Sequence, residues 1–234
     1  MLELLSLEPP GWGGALLKGA LVTLEIAVAA YLVGLVLGLS GAAAKLSGSA
    51  FLFWAAEAYT TLIRAVPELL LIIVLFYAGS SAIAALLSRL GLGEVEISGF
   101  AAAIGVLGVV QGAYATEVIR GAIVAIPQGQ IEAAKAYGMP AALRLRRVVI
   151  PAMLPIALPG LANLWLILVK DTALISVVGF SELLYTGKQA AGSTRHYFLF
   201  YMAVGAIYLV MTLGSNALFR LLERQVRRGI PAAG

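Results

Sequence analysis

The stretch Leu69-Leu70-Leu71-Ile72-Ile73-Val74-Leu75-Phe76-Tyr77-Ala78-Gly79-Ser80-Ser81-Ala82-Ile83-Ala84-Ala85-Leu86-Leu87-Ser88 holds no charged residue. A helix of roughly 20 apolar residues crosses a bilayer core about 30 Å thick, and this run has that length. A membrane strand would instead alternate apolar and polar residues over about ten positions. Neither Ile72-Ile73-Val74-Leu75-Phe76 nor the later run Val106-Leu107-Gly108-Val109-Val110 alternates. Helices are therefore the expected spanning element. Four further charge-free windows, at 26–44, 97–116, 148–169 and 197–219, bring the expected spans to five. With flanking residues included, the spans are placed at about 17–44, 65–88, 97–121, 148–178 and 196–222, in a single all-α membrane domain covering 1–234.

The composition agrees. Apolar residues make up 61% of the 234 and charged residues 12%, with a mean hydropathy of +0.97. A soluble domain carries about a quarter of charged residues, so the main solvent of this chain is lipid. The absence of cysteine excludes disulfides and thiolate metal sites, and the single histidine, His196, excludes an all-histidine site. No metal and no resident cofactor are expected. No removable signal peptide is expected either, since Met1 to Pro10 carries Glu3 and Glu8 and ends in Pro9-Pro10 instead of a basic start and an apolar core.

Lys and Arg orient the spans. Lys45 lies in the first connection. Lys135, Arg144, Arg146 and Arg147 lie in the third, and Arg220, Arg224, Arg227 and Arg228 in the tail. The other two connections are weaker, with Arg89 offset by Glu94 and Glu96, and Lys188 and Arg195 facing Glu182. This pattern predicts an N-terminus outside and a C-terminus in the cytoplasm. Gly34–Gly38 and Gly108–Gly112 have the GxxxG spacing that lets helix backbones approach closely. They serve either packing within the chain or a dimer face.

The third connection, 127–147, is the most informative. It begins Ile126-Pro127-Gln128-Gly129-Gln130-Ile131-Glu132-Ala133-Ala134-Lys135-Ala136-Tyr137-Gly138-Met139-Pro140 and runs through Arg144-Leu145-Arg146-Arg147-Val148-Val149-Ile150-Pro151. Gln130 to Tyr137 favour helix, and Gly138 stands where a left-handed C-cap belongs. Ala141 to Ile150 can form a second short helix, stopped at Pro151. Two spans could be joined by far fewer residues. The physics alone leaves two uses open, docking to a partner and resting on anionic lipid.

Glu132-Ala133-Ala134, then Gly138, then Val148-x-Ile150-Pro151, resembles the EAA loop of ATP-binding-cassette importer permeases, with every spacing kept and Val148 and Ile150 in place of Ile and Leu. Further stretches resemble the polar amino acid branch of that family. They are Thr23-Leu24-Glu25, Arg64-Ala65-Val66-Pro67-Glu68, Ala115-Thr116-Glu117-Val118-Ile119-Arg120-Gly121 and Lys170-Asp171-Thr172-Ala173-Leu174. Within it the chain is most similar to the Q-type subunits of histidine and lysine/arginine/ornithine transporters and their opine-uptake relatives. Relatives often carry Arg-Gly-Thr-Pro where this chain has Arg64-Ala65-Val66-Pro67, which leaves the substrate open.

The resemblance implies a type I importer permease fold in a bacterial inner membrane. It also implies three kinds of partner: two copies of an ATPase that binds the ATP and Mg, a second permease subunit, in a heterodimer ahead of a homodimer, and an external binding protein. Nucleic acid is not among the partners. The coupling loop would act through Glu132, Ala133, Ala134, Gly138 and Pro151, with transport by alternating access.

The chain itself is not expected to be an enzyme. Gly38 to Lys45 and Glu182 to Gln189 each approach a phosphate-binding P-loop but lack its glycine spacing or the residues after its lysine. No nucleophilic triad is available. Ionisable residues at membrane depth are functional candidates by default. A free amino acid needs an acceptor and a donor close together, with a third group to select its side chain. The candidates for the substrate path are Arg64, Glu68, Gln111, Tyr114, Glu117, Lys170, Asp171 and Thr172. Glu68 or Glu117 would accept from a cationic side chain, and Arg64 or Thr172 would hold the carboxylate. Glu117–Arg120 and Lys170–Asp171 can equally bridge helices and bind nothing. Pro151, Pro155 and Pro159 recur along one side of the fourth span, as a hinge or as a fixed bend. An ion-coupled secondary transporter and a non-transporting scaffold remain as alternatives. Neither needs a coupling loop.

Overall fold

The computed structural model describes residues 2–90 and 98–226. Glu94, Glu96, Arg227 and Arg228, used above for orientation, lie outside the described residues. Among the described residues, five helices are long and apolar enough to cross a membrane: Gly13–Leu46, Glu68–Leu86, Gly99–Val124, Ala141–Val178 and Tyr197–Val226.

The chain starts with a 3-10 turn, Leu2–Leu5, and enters α1 (Gly13–Leu46). A helix absent from the span count follows, α2 (Ala50–Ala65). Glu57 and Arg64 interrupt its apolar sequence, which hides it from a search for charge-free runs. Val66 takes up extended backbone before Pro67, with φ −100° and ψ 141°, as residues preceding proline do. The helix then restarts as α3 (Glu68–Val74) and continues through a π-helical turn, Leu75–Gly79, into α4 (Ser80–Arg89). α2 to α4 thus form one path broken at Val66–Pro67.

α5 (Gly99–Val124) is the most enclosed helix, and α1 lies along it. Small residues set this approach. Gly34 lies against Gln111, Gly38 against Ala115, Gly41 against Thr116, Gly108 against Val33, and Gly112 against Leu37 and Tyr59. The numbers rise together along both helices, so α1 and α5 run parallel. The two GxxxG spacings pack within the chain.

The connection after α5 holds α6 (Gln128–Ala136) and α7 (Ala141–Arg144). α7 does not end at Pro151 as the sequence suggests. It continues through a π-helical turn, Leu145–Val149, into α8 (Ile150–Asp171). Proline within a helix removes one backbone bond and crowds a carbonyl one turn back. The wider turn just before Pro151 takes up that misfit. A 3-10 segment, Thr172–Val178, then α9 (Leu183–Thr194) and α10 (Tyr197–Val226) complete the described chain.

Three apolar clusters hold these helices. One, with Ala42, Ile119, Ile126, Val149 and Met153, backs the 127–147 connection. The second joins Ile26, Ile72, Leu107, Leu168 and Ile175, and the third joins Leu16, Leu183, Ala191 and Phe200. Large apolar side chains such as Leu32, Val36, Ile83, Val210 and Leu213 stay exposed. On a soluble protein so much apolar surface would signal association. On helices long enough to cross a membrane it suits contact with lipid.

Candidate translocation site and coupling loop

α6 turns one face to the body of the protein. Ala134 is buried, and Ile131 packs on the cluster that contains Val149 and Met153. The opposite face presents Glu132, Ala133, Lys135 and Tyr137, and Tyr137 is 87% exposed. The helix stops in a Schellman motif. Gly138 adopts φ +70°, its N–H donates to the Lys135 carbonyl at 2.9 Å, and the Met139 N–H donates to the Ala134 carbonyl at 3.1 Å. Glycine takes this left-handed conformation without a Cβ clash. The expected cap is therefore present. Pro151 is exposed and sits in the first turn of α8, directly behind the loop.

The break at Val66–Pro67 gathers a second set of groups. The Glu68 carboxyl lies within electrostatic reach of both Asp171, at the end of α8, and Tyr114 of α5. The Arg64 guanidinium lies over the Tyr114 ring, 5.8 Å from its centroid. Four of the eight candidates thus come together around the restart of a broken helix: two neighbouring acids, a phenol and a guanidinium. Such a set can hold a cation between the carboxyls and an anion at the guanidinium. Broken helices at membrane depth are where transporters place ligand groups.

The other four lie apart. The stem of buried Gln111 packs against Gly34, and its Nε2 has no hydrogen-bond partner among the described residues. Thr172 is buried and donates to the Val169 carbonyl at 2.7 Å. Lys170 is exposed and makes no ion pair with Asp171. Glu117 accepts from Arg120 at 3.0 Å and also from Lys45.

The sequence puts Lys45 in a connection, but it lies in the last turn of α1 with its side chain only 2% exposed. Its Nζ donates to Glu57 Oε2 at 2.7 Å, to Thr60 Oγ1 at 2.7 Å and to Glu117 Oε1. All three ammonium hydrogens find acceptors, which is the condition for burying a lysine. The hydrogen bond and charge of Lys45 hold the Glu57 carboxyl below the usual carboxylate range.

Glu182 departs further from expectation. As part of a connection it should be solvated, yet it is fully buried. Its Oε1 accepts from the Tyr185 N–H at 2.7 Å, so it caps α9. Its Oε2 accepts from Tyr208 at 3.0 Å and from Thr23 at 3.3 Å. Thr23 in turn accepts from the Leu183 N–H at 3.2 Å. Burial pushes the Glu182 carboxyl up, against the opposing pull of the Leu184 and Tyr185 N–H groups and the two hydroxyls. No local signal marks this residue, because glutamate is not a favoured N-cap.

Residues 31–228 match the family model for a "binding-protein-dependent transport system inner membrane component". The chain is 43% identical to an octopine transport system permease protein of Rhizobium radiobacter, covering 97% of each. It is 45% identical to a nopaline transport system permease protein of Agrobacterium fabrum, covering 98% of each. It is also 40% identical to the histidine/lysine/arginine/ornithine transport system permease protein of Escherichia coli strain K12, covering 95% of this chain and 98% of that one. Among solved structures, an amino acid ABC transporter with histidines superposes with a TM-score of 0.77 at 33% identity, over 92% of this chain and 95% of that one. An inward-facing MetNI methionine transporter shares the fold, with a TM-score of 0.76 at 22% identity, over 94% of this chain and 99% of that one.

Proposed function

Since the chain belongs to the family of binding-protein-dependent transport system inner membrane components, we propose that it is the permease subunit of an ATP-driven importer of a polar, cationic amino acid or an opine. It is a multi-pass membrane protein, and its place is the bacterial inner membrane. It forms a heterodimer with a second permease, fed by an external binding protein and driven by two copies of an ATPase. The spans at 17–44, 65–88, 97–121, 148–178 and 196–222 run with the N-terminus outside, and the 127–147 loop faces the cytoplasm.

The observation that carries the substrate part is the helix break at Val66–Pro67, which brings Glu68 to Asp171 and Tyr114. Facing carboxyls repel one another, and a cationic side chain between them relieves that repulsion. Arg64, at the same break, supplies the partner for a substrate carboxylate. Glu68→Gln is expected to lower arginine uptake about tenfold or more, the size of a lost charge-assisted hydrogen bond, while the complex still assembles. Native uptake in that variant removes Glu68 from the path.

The coupling part rests on α6, which offers Glu132, Ala133 and Tyr137 to a partner while Ala134 and Ile131 anchor it. The test combines Glu132→Ala with Gly138→Pro. Proline cannot adopt the positive φ of the cap, so the end of α6 must rearrange. Both ATPase capture and arginine uptake in proteoliposomes are expected to be lost. Normal capture and uptake would overturn the coupling role of the loop.

A further inference from the structure

The polar knot around Lys45 joins three helices that the translocation site and the coupling loop both depend on. Lys45 closes α1, Glu57 and Thr60 lie on α2, and Glu117 lies on α5. α5 leads through Ile126 and Pro127 directly into α6. α2 leads to Val66–Pro67 and hence to Glu68. The knot therefore provides a hydrogen-bonded route from α5, which leads into the loop, to α2, which ends at the helix break. Two further contacts bind α2 to α5 along that route: the Tyr59 hydroxyl donates to the Val109 carbonyl, and Arg64 covers Tyr114.

Packing alone would not need a lysine here. A buried ion pair is often no more stabilising than an apolar residue of similar volume, and an ammonium is costly to take out of water. What charge adds is a directional tie between fixed partners. It is balanced in this network: Lys45 and Arg120 against Glu57 and Glu117, with Glu117 shared between the two cations. Glu57 and Arg120, at 39% and 38% side-chain exposure, border the knot, so it has an open edge.

We propose that Lys45 is a positioning residue for energy coupling: it clamps α1, α2 and α5 into one body, so that displacement of the 127–147 loop is carried along α2 to the break at Val66–Pro67. This rests on the importer function proposed above. Val66–Pro67 is the joint, because extended backbone there interrupts the helical hydrogen bonds that stiffen α2 on one side and α3 on the other. Lys45 does not touch the substrate.

The experiment uses the complete transporter in proteoliposomes, with ATP hydrolysis and arginine uptake measured on the same vesicles. Lys45→Met keeps the bulk and removes the charge. Its complex is expected to hydrolyse ATP while uptake per ATP falls about tenfold, within the range of coupling between distant sites. Lys45→Arg, which keeps charge and donors, is expected to restore most of that ratio. Glu57→Gln, at the open edge where folding is least sensitive, is expected to lower it by roughly threefold. A native uptake-to-hydrolysis ratio in Lys45→Met overturns the proposal, as does a parallel fall of uptake and hydrolysis, the mark of a merely structural role. Where Lys45→Met does not assemble, the Glu57→Gln ratio decides, and an unchanged value overturns the clamp. A native complex without ATP-dependent uptake would sink the importer function and the clamp together. A native complex that transports, with variants whose uptake-to-hydrolysis ratio stays native, sinks only the clamp.

Discussion

Gly38→Val is expected to abolish recovery of the folded chain, or to lower its stability by about 3 kcal/mol, the upper end of overpacking costs. A Cβ at this position would lie 2.6 Å from the Ala115 Cβ, 3.1 Å from the Ala115 carbonyl carbon and 3.2 Å from the Thr116 nitrogen. Two of these three atoms belong to the α5 backbone, which cannot turn aside as a side chain can. α1 would have to move away from α5 along its length, which opens the neighbouring contacts of Gly34 with Gln111 and of Gly41 with Thr116. Gly105→Ala is the control. It lies on α5 with nothing within 4 Å of its added Cβ, and alanine gains about 0.8 kcal/mol of helix propensity over glycine. Thermal unfolding of the detergent-purified chain should show the first variant collapsing and the second unchanged or improved. Similar behaviour of the two would mean that α1 and α5 do not touch as described.

Glu182→Ala should be at least as severe. It removes the N-cap of α9, a loss of about 1 kcal/mol. It also leaves the Thr23 and Tyr208 hydroxyls without their acceptor, at about 1–3 kcal/mol for each buried group. The expected total is about 3–7 kcal/mol, and the third apolar cluster, around Leu183 and Phe200, should loosen with it. Glu182→Gln keeps one oxygen for the Tyr185 N–H and should cost clearly less. Equal losses in both variants would locate the effect in the charge and not in the cap. The pH dependence follows from burial, which raises the Glu182 carboxyl above its unfolded value. The folded state then holds a proton that the unfolded chain has released. Stability is therefore expected to fall as pH rises from the ordinary carboxylate range through the raised value. Glu182→Gln should flatten that slope, which unfolding at a series of pH values would reveal.

α6 and its cap were legible because the relevant information is local. Glu132 to Gly138 carries helix formers ended by glycine, and the hydrogen bonds of the cap join residues no more than five apart. The glycine spacings were legible as close-approach surfaces, but not which of two partners they would meet. That choice needed α1 and α5 side by side, with Gly38 against Ala115 and Gly112 against Leu37. α2 escaped a search for charge-free windows because Glu57 and Arg64 interrupt it, although both charges have partners in the fold. The candidate site was half legible. Eight polar residues at membrane depth could be named, yet nothing in their spacing separated Glu68, Asp171, Tyr114 and Arg64 from Gln111, Glu117, Lys170 and Thr172.

By itself the amino-acid sequence determined the membrane helices, the loop between the third and fourth of them, and the family to which the chain belongs. These depend on hydropathy over a bilayer thickness, on hydrogen bonds closed within a turn or two, and on residue patterns readable along the chain. Tertiary structure alone decided the fate of the charges. Lys45 meets Glu117 across 72 residues, and Thr23 meets Glu182 across 159. Whether a charge is solvated in a connection or buried in a knot depends on such distant partners, because the low dielectric of the interior makes an unpaired charge costly and a paired one tolerable.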